Sequence, residues 1–225
     1  MKTLTVLSPV YNEVDVIENF YNVLRLQLEK LKDRYEYSIL FVMDRSTDGT
    51  LDVLKRIARS DGNVRVLILS SRFGHQMSLV AGIDHSDADI IIMMDCDLQH
   101  PPELIPDMLA EYEKGNDIVY TIRKDTKRIG FLKRITSKLF YRCINLISDV
   151  NINESAADFR LISGRVAKVL KEQIRERNIF LRGIFNWIGF KQAAVPFVVR
   201  ERFAGKSKYS LRRMVQFGAF GVISF

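Results

Sequence analysis

IIIMMDCDLQHPPE, residues 90–103, runs from five apolar residues straight into two carboxylates one residue apart. The apolar run reads as a buried strand, and what it delivers at its end is Asp95 and Asp97. Side chains on a strand alternate faces, so residues two apart point the same way. If the extended geometry persists, Asp95 and Asp97 converge and Cys96 turns away. Two carboxylates that close repel, and each raises the other's pKa unless positive charge lies between them. A solvated loop after a strand is the plain alternative. A site for a hard divalent cation is the sharper reading, because Pro101 and Pro102 start a helix well yet do not account for two acids and Gln99 crowded together. Carboxylate and amide oxygens suit magnesium or manganese, with diphosphate oxygens completing the shell. His100, one of three histidines, is expected to make a local polar contact and not to bind metal.

Outward from this stretch the chain alternates. Residues 3–10 form a short apolar, β-rich run. Asn12 with Asp15 three residues on resembles a capping box, and Ile17, Phe20, Leu24, Leu28 and Leu31 repeat at helical spacing. Residues 38–43, 64–69, 90–94 and 117–122 read as further strands, with helices to about Arg59, over 76–84 and over 102–114. Strands alternating with helices predict an α/β fold with a mostly parallel sheet, right-handed crossovers and helices on both faces. Ligands collect at the carboxyl ends of such strands. Three polar clusters lie there: PVYNE (9–13), MDRSTDGT (43–50) and DCDLQHPPE (95–103). Asn12 is read with equal weight as a helix cap or a nucleotide contact. Asp48 and Gly49 signal a turn, with Thr47 or Asp48 capping the helix that follows.

The chain has 225 residues, 47% hydrophobic and 27% charged, enough for one large domain. A formal charge of +7 points to an anionic partner: nucleotide, phospholipid surface or nucleic acid. Two cysteines, Cys96 and Cys143, argue against a disulfide framework or structural zinc and fit a reducing compartment. Pro9 and charged residues come too early for a signal-peptide core, so export is not expected. Beyond Thr121 the alternation gives way to basic amphipathic sequence. Between Arg123 and Arg142 eight cations face one acid, Asp125, interleaved with Ile129, Phe131, Leu132, Ile135, Leu139 and Phe140. Such a helix either lies in an anionic membrane interface or packs on the sheet with a solvated basic face. A second basic cluster, from Arg200 to Arg213, precedes MVQFGAFGVISF (214–225). That tail falls short of the roughly 20 residues a membrane span needs, so it reads as an interfacial helix or the start of a membrane segment.

In this order the blocks SPVYNE (8–13), DGT (48–50), SRFGHQMSLVAGI (71–83), DCDLQHPPE (95–103), DFRLISGRV (158–166) and RFAGKSKYSLRRM (202–214) resemble the GT-A glycosyltransferases of family 2. Within that family they resemble the polyprenyl-phosphate sugar synthases, of the dolichyl-phosphate mannose synthase and bactoprenol glucosyltransferase kind. The resemblance implies a Rossmann-like GT-A sheet with C-terminal amphipathic interface helices. It divides the chain into a nucleotide-sugar half (1–122), an acceptor half (123–213) and an apolar tail (214–225). It also implies hexose transfer with inversion from a UDP-glucose or GDP-mannose type donor to polyprenyl phosphate, dependent on Mg2+ or Mn2+. Asp97 then binds the metal directly, with Asp95 and Gln99 completing the site. Pro9, Tyr11 and Glu13 surround the nucleoside, and Asp44 lies near the base. Asp158 orients the acceptor or acts as a base, its plain reading being a capping or salt-bridging acid. Arg123, Arg134, Arg202 and Lys208 are candidates for the lipid phosphate, whose oxygens suit guanidinium forks. Met43 and Arg45 depart from the pattern, where many relatives have an acid and a small residue; uracil and guanine both stay open.

The resemblance further implies work at the cytoplasmic face of the cell membrane, peripheral or held by a C-terminal segment, with homo-oligomerisation left open. The alternatives are a soluble glycan or protein acceptor, or a sugar nucleotidyltransferase. The last usually needs a glycine-rich phosphate loop after the first strand, and SPVYNE has no glycine. A non-catalytic membrane or nucleic-acid module explains the charge but not acids at three strand ends, and no nucleic-acid partner is expected.

Overall fold

Alternating strands and helices dominate the structure, a computed structural model that describes residues 1–124, 156–176 and 179–198. The first part runs β1 (Lys2–Val10), α1 (Ile17–Glu29), β2 (Tyr35–Met43), α2 (Thr50–Ser60), β3 (Val64–Ile68), α3 (His75–Asp84) and β4 (Ile90–Met93). After a 3-10 turn at Pro102–Leu104 come α4 (Ile105–Glu113) and β5 (Ile118–Arg123). Later in the chain lie β6 (Ala156–Ser163), α5 (Gly164–Gln173), α6 (Leu181–Trp187) and β7 (Gln192–Phe197). The basic segment after Lys124 with Arg134, the cluster with Arg202 and Lys208, and the tail 214–225 all lie outside the described residues.

The seven strands form one sheet in the order β3-β2-β1-β4-β6-β5-β7. β1 pairs in parallel with β2 and β4, β2 with β3, and β5 with β7. β6 enters between β4 and β5 and runs antiparallel to both. That inversion matters for the site: the first residues of β6 lie beside the carboxyl ends of its neighbours. Arg160 is opposite Met93 on β4 and Tyr120 on β5, so Asp158, two residues nearer the start of β6, is carried to the same end as Asp95.

Alternate residues of the buried strands feed two cores. On one face Val6, Ile39, Phe41, Ile90, Ile92 and Leu161 pack against Phe20, Leu24 and Leu28 of α1, Leu54 of α2 and Met108 of α4. On the other, Leu7, Val42, Ile91, Met93 and Ile162 meet Leu79 and Ile83 of α3, Leu170 of α5 and Ile184 and Phe185 of α6. Helices cover both faces, as the alternation predicts. Among the described residues no helix is long and apolar enough to cross a membrane.

Two local expectations fail. The N-cap of α1 is Val16, without a side-chain cap bond; Asn12 lies well before it with φ 53°. The first amides of α1 are served by the backbone instead, Val16 and Ile17 both donating to the Glu13 carbonyl at 3.1 and 2.9 Å. The extended geometry of IIIMM also does not continue through DCD. β4 ends at Met93, and Leu98 takes φ 60°, so strand alternation alone does not orient Asp95 and Asp97.

Candidate active site

The loops after β1 and β2 are clasped together. The Asn12 amide N–H donates to Ser46 Oγ at 3.0 Å, its side chain donates to Thr47 Oγ1 at 3.1 Å, and its Oδ1 accepts the Thr47 N–H at 2.8 Å. Glu13 N–H donates to Thr50 Oγ1 at 2.9 Å. Asp48 accepts from Thr50 N at 3.1 Å, from the Thr50 hydroxyl and from Val14 N at 3.3 Å. Burial works to raise the Asp48 pKa, and the Thr50 and Val14 donors bring it below the ordinary carboxylate range. Asp48 thus takes the amide that opens α2, but the N-cap is Gly49, without a side-chain cap bond, and not Thr47 or Asp48 as expected. Asn12 is a loop clasp.

Above this clasp, Tyr11 carries the Arg72 guanidinium 4.0 Å over its ring. Pro9 is buried beside it. Asp44 is buried and spends one oxygen on Phe73 N at 2.8 Å and the other on Gly74 N at 2.9 Å. It therefore fixes the loop that leads into α3, where Gly74 adopts φ 88°, a region that glycine enters without strain. Arg72 escaped the sequence reading, although it sits in the quoted SRFGHQ block.

Over the end of β4, Asp95 Oδ1 lies 2.8 Å from His75 Nε2. Burial opposes both charges, but their mutual attraction wins: His75 is pushed up to about 9 and Asp95 is held below its usual range. Asp97 is almost fully buried, and its Oδ1 accepts the Gln99 N–H at 3.0 Å, closing an Asx-type turn. Asp95, Asp97 and Gln99 are hard oxygen donors of the kind magnesium and manganese take. Among the described residues no group of three or more His, Cys, Asp or Glu is arranged to hold a metal. Two carboxylates and one amide would leave most of such a cation's shell to substrate oxygens and water. Cys96 is turned inward, its Sγ 3.8 Å from the Pro9 carbonyl, and burial pushes its thiol well up.

His100 corrects an expectation. Neither ring nitrogen finds a hydrogen-bond partner among the described residues, and Nδ1 is 4.0 Å from Asp95 Oδ2. The ring is 3% exposed, stacks on Phe159 at 5.4 Å and meets Phe197 edge-on at 5.9 Å. Burial holds its pKa below the usual value, so it packs as a neutral aromatic.

Beside these groups, the start of β6 and α6 bring together a charged cluster. Arg182 clamps Asp158 with Nε to Oδ1 at 2.6 Å and Nη2 to Oδ2 at 2.8 Å. Burial works against the carboxylate, but Arg182, followed by His75 and Arg160, holds its pKa far below the usual range. The salt-bridging reading of Asp158 is what the geometry displays. Arg160 is 3% exposed, with its guanidinium 4.5 Å over Phe185 and 5.8 Å from Tyr120. Burial lowers its pKa to about 10, which still leaves a cation at neutral pH. Arg123 is exposed at the end of β5. Nothing in FLRGIF singles out Arg182; Arg160 does leave a trace, a charge inside the otherwise apolar strand pattern FRLI.

Across the sheet, then, the order is a ring-and-guanidinium platform over β2 and β1, two carboxylates at the end of β4, and a cationic cluster over β6. Three comparisons bear on what uses this arrangement. The model of glycosyl transferase family 2 matches residues 5–174. The prophage bactoprenol glucosyl transferase homolog of Escherichia coli (strain K12) is 38% identical over 222 residues, 99% of this chain and 72% of that protein. The uncharacterized glycosyltransferase YkcC of Bacillus subtilis (strain 168) is 37% identical over 221 residues, 98% of this chain and 68% of that protein. Among solved structures, glucosyl-3-phosphoglycerate synthase from Mycobacterium tuberculosis, in complex with Mn2+, UDP and phosphoglyceric acid, aligns with TM-score 0.62 at 14% identity. It covers 99% of this chain and 76% of that one. At that identity the likeness is one of fold, and the fold is the GT-A sheet.

Proposed function

The chain belongs to glycosyl transferase family 2, and we propose that this glycosyltransferase moves a hexose from a nucleotide-diphosphate sugar to a polyprenyl phosphate, inverting the anomeric carbon. The observation that carries the reading is the order across the sheet: the Tyr11 ring with the Arg72 guanidinium over it, then two carboxylates, then a cationic cluster. Relatives named bactoprenol glucosyl transferases support the lipid acceptor, and so do the basic segments of the chain. The alternative of a soluble acceptor lacks such support.

In this reading the stacked Tyr11 and Arg72 offer the base a flat surface, with Pro9 and Glu13 lining the pocket. Asp44 acts by fixing residues 71–74 against it, and its remaining lone pairs are available to a uracil or guanine edge. Asp95, Asp97 and Gln99 would hold the magnesium or manganese ion, which when bound neutralises charge on the departing diphosphate. An oxygen of the lipid phosphate attacks the anomeric carbon from the side opposite the diphosphate. The new carbon–oxygen bond forms as the old one breaks, and the diphosphate leaves with the electron pair. The attacking group is already an anion, so no side chain has to deprotonate it. Arg123, with Arg134, Arg202 and Lys208, serves the lipid phosphate. Residues 1–122 serve the donor, 123–213 the acceptor, and 214–225 the membrane at its cytoplasmic face.

The test is direct. The protein is incubated with polyprenyl phosphate, magnesium and a panel of UDP- and GDP-sugars, and the lipid products are weighed by mass spectrometry. A hexosyl-phosphoprenol is expected with one donor of the panel. Transfer only to soluble glycans would overturn the assignment.

A further inference from the structure

Arg160 is a buried cation that the fold leaves short of acceptors. Its Nε and Nη1 find no hydrogen-bond partner among the described residues. The nearby carboxylate, Asp158, has already given both oxygens to Arg182. The Phe185 ring under the guanidinium supplies a cation–π contact but no lone pair. A buried charge with unfilled donors is strongly unfavourable unless something completes it, and an unsatisfied group of this kind calls for a missing ion, water or substrate.

Arg160 on β6 and Arg182 on α6 are two guanidiniums that share the single carboxylate of Asp158, and Arg182 takes both of its oxygens. Their position decides what the missing anion is. The nucleoside platform lies over β2 and β1 and the metal-type carboxylates at the end of β4, so a diphosphate bound there leaves β6 on the far side of the sugar. An inverting attacker must arrive on that far side.

We propose that Arg160 and Arg182 form an oxyanion-receiving floor for the acceptor, with Asp158 fixing Arg182 in place and taking no proton. The acceptor class this selects is a phosphate monoester, already ionised, and not a sugar or protein hydroxyl. The inference rests on the glycosyl-transfer reading above and deepens it. Arg182, whose side chain is 20% exposed, meets the phosphate directly. Arg160 lies behind it, with Nε and Nη1 the donors that the fold leaves unfilled.

Geranyl phosphate and, separately, UDP and GDP are titrated by calorimetry, with magnesium present, into the full chain and into Arg160→Gln, Arg160→Lys and Arg182→Lys. Steady-state kinetics follow for the same set and for Asp158→Asn. Arg160→Gln should weaken geranyl phosphate by about tenfold or more, the loss of one charge-assisted contact, with nucleotide binding unchanged and Arg160→Lys recovering part of the loss. The Michaelis constant for lipid should rise more than turnover falls. Asp158→Asn should lower turnover while keeping the shape of the pH profile, since no base has been removed. The inference is overturned if Arg160→Gln binds geranyl phosphate like the parent, or if Asp158→Asn abolishes an acidic limb that the parent shows. Phosphate binding is read without transfer, so failure of the glycosyl-transfer reading is separable: the parent would then transfer no hexose to any lipid phosphate, whatever Arg160 binds.

Discussion

Asp44 is a residue whose work is done on the backbone. Each carboxylate oxygen takes one amide of the loop before α3. Replacing it by Asn keeps one acceptor and leaves the other, part-buried N–H without its charged partner, a loss of about 1–3 kcal/mol. Asp44→Asn should therefore weaken UDP or GDP binding about tenfold by calorimetry, with the Michaelis constant for lipid unmoved. Asp97 makes a different prediction. In Asp97→Ala turnover should vanish while far-UV circular dichroism stays that of the parent, and excess chelator should silence the parent in the same way. Full activity in chelator would remove Asp95, Asp97 and Gln99 from any metal role. Both acids were visible in the sequence, because a carboxylate at a strand end has little structural reason to be there. The partners of Asp95 and Asp158 were not. His75 is twenty residues from Asp95 and Arg182 twenty-four from Asp158, and no local pattern encodes contacts made through the fold.

At the scale of elements, periodicity made the strands and helices from β1 to β5 legible to within a few residues, since each has one apolar face or is buried throughout. The direction of β6 was not legible. DFRLIS reads the same whether its neighbours run parallel or against it, and the pairing is settled by which slot in the sheet remains open. Close packing yields a prediction for α3. A Cβ on Gly82 would fall 2.0 Å from Leu7 Cδ1 and 2.9 Å from Val42 Cγ2, both fully buried. Overpacking costs about 1–3 kcal/mol, against up to about 1 kcal/mol regained in helix propensity. Gly82→Ala should lower the urea midpoint with an unchanged slope. β2 carries a pH prediction. Burial first, and then hydrogen bonds to Glu113 and Glu29, push Tyr35 and Tyr37 each up to about 12. A pKa raised above its unfolded value of about 10 gives stability that is whole below that pH and lost as pH climbs through the folded value. Denaturant midpoints should hold to pH 10 and fall toward 12, with phenolate absorbance appearing in step. Replacing both tyrosines by Phe should flatten that fall.

For the whole molecule the telling quantity is where the charge lies, more than its total. Between Arg123 and Arg142 eight cations face one acid, a net of +7, and between Arg200 and Arg213 six face one, a net of +5. The chain as a whole carries +7, so everything outside those two segments carries −5. A protein divided in this way presents an acidic body and basic segments, and an anionic bilayer attracts the second while repelling the first. Each Lys or Arg near such a surface contributes about 1 kcal/mol, an attraction that decays within a Debye length of about 8 Å at physiological salt. Binding to vesicles containing phosphatidylglycerol should therefore weaken steeply as salt is raised, and vesicles of phosphatidylcholine alone should bind poorly. Reversing Lys133 and Arg134 to Glu changes the charge of the first segment by four units, and the protein should then stay in the supernatant when vesicles are sedimented. Nucleotide binding should survive that double change, because the proposed donor site draws on residues 9–99 and includes neither Lys133 nor Arg134. If the double variant still sediments, and does so regardless of salt, attachment would instead depend on the apolar residues 214–225. Removing those residues would then release the protein where the charge reversal did not.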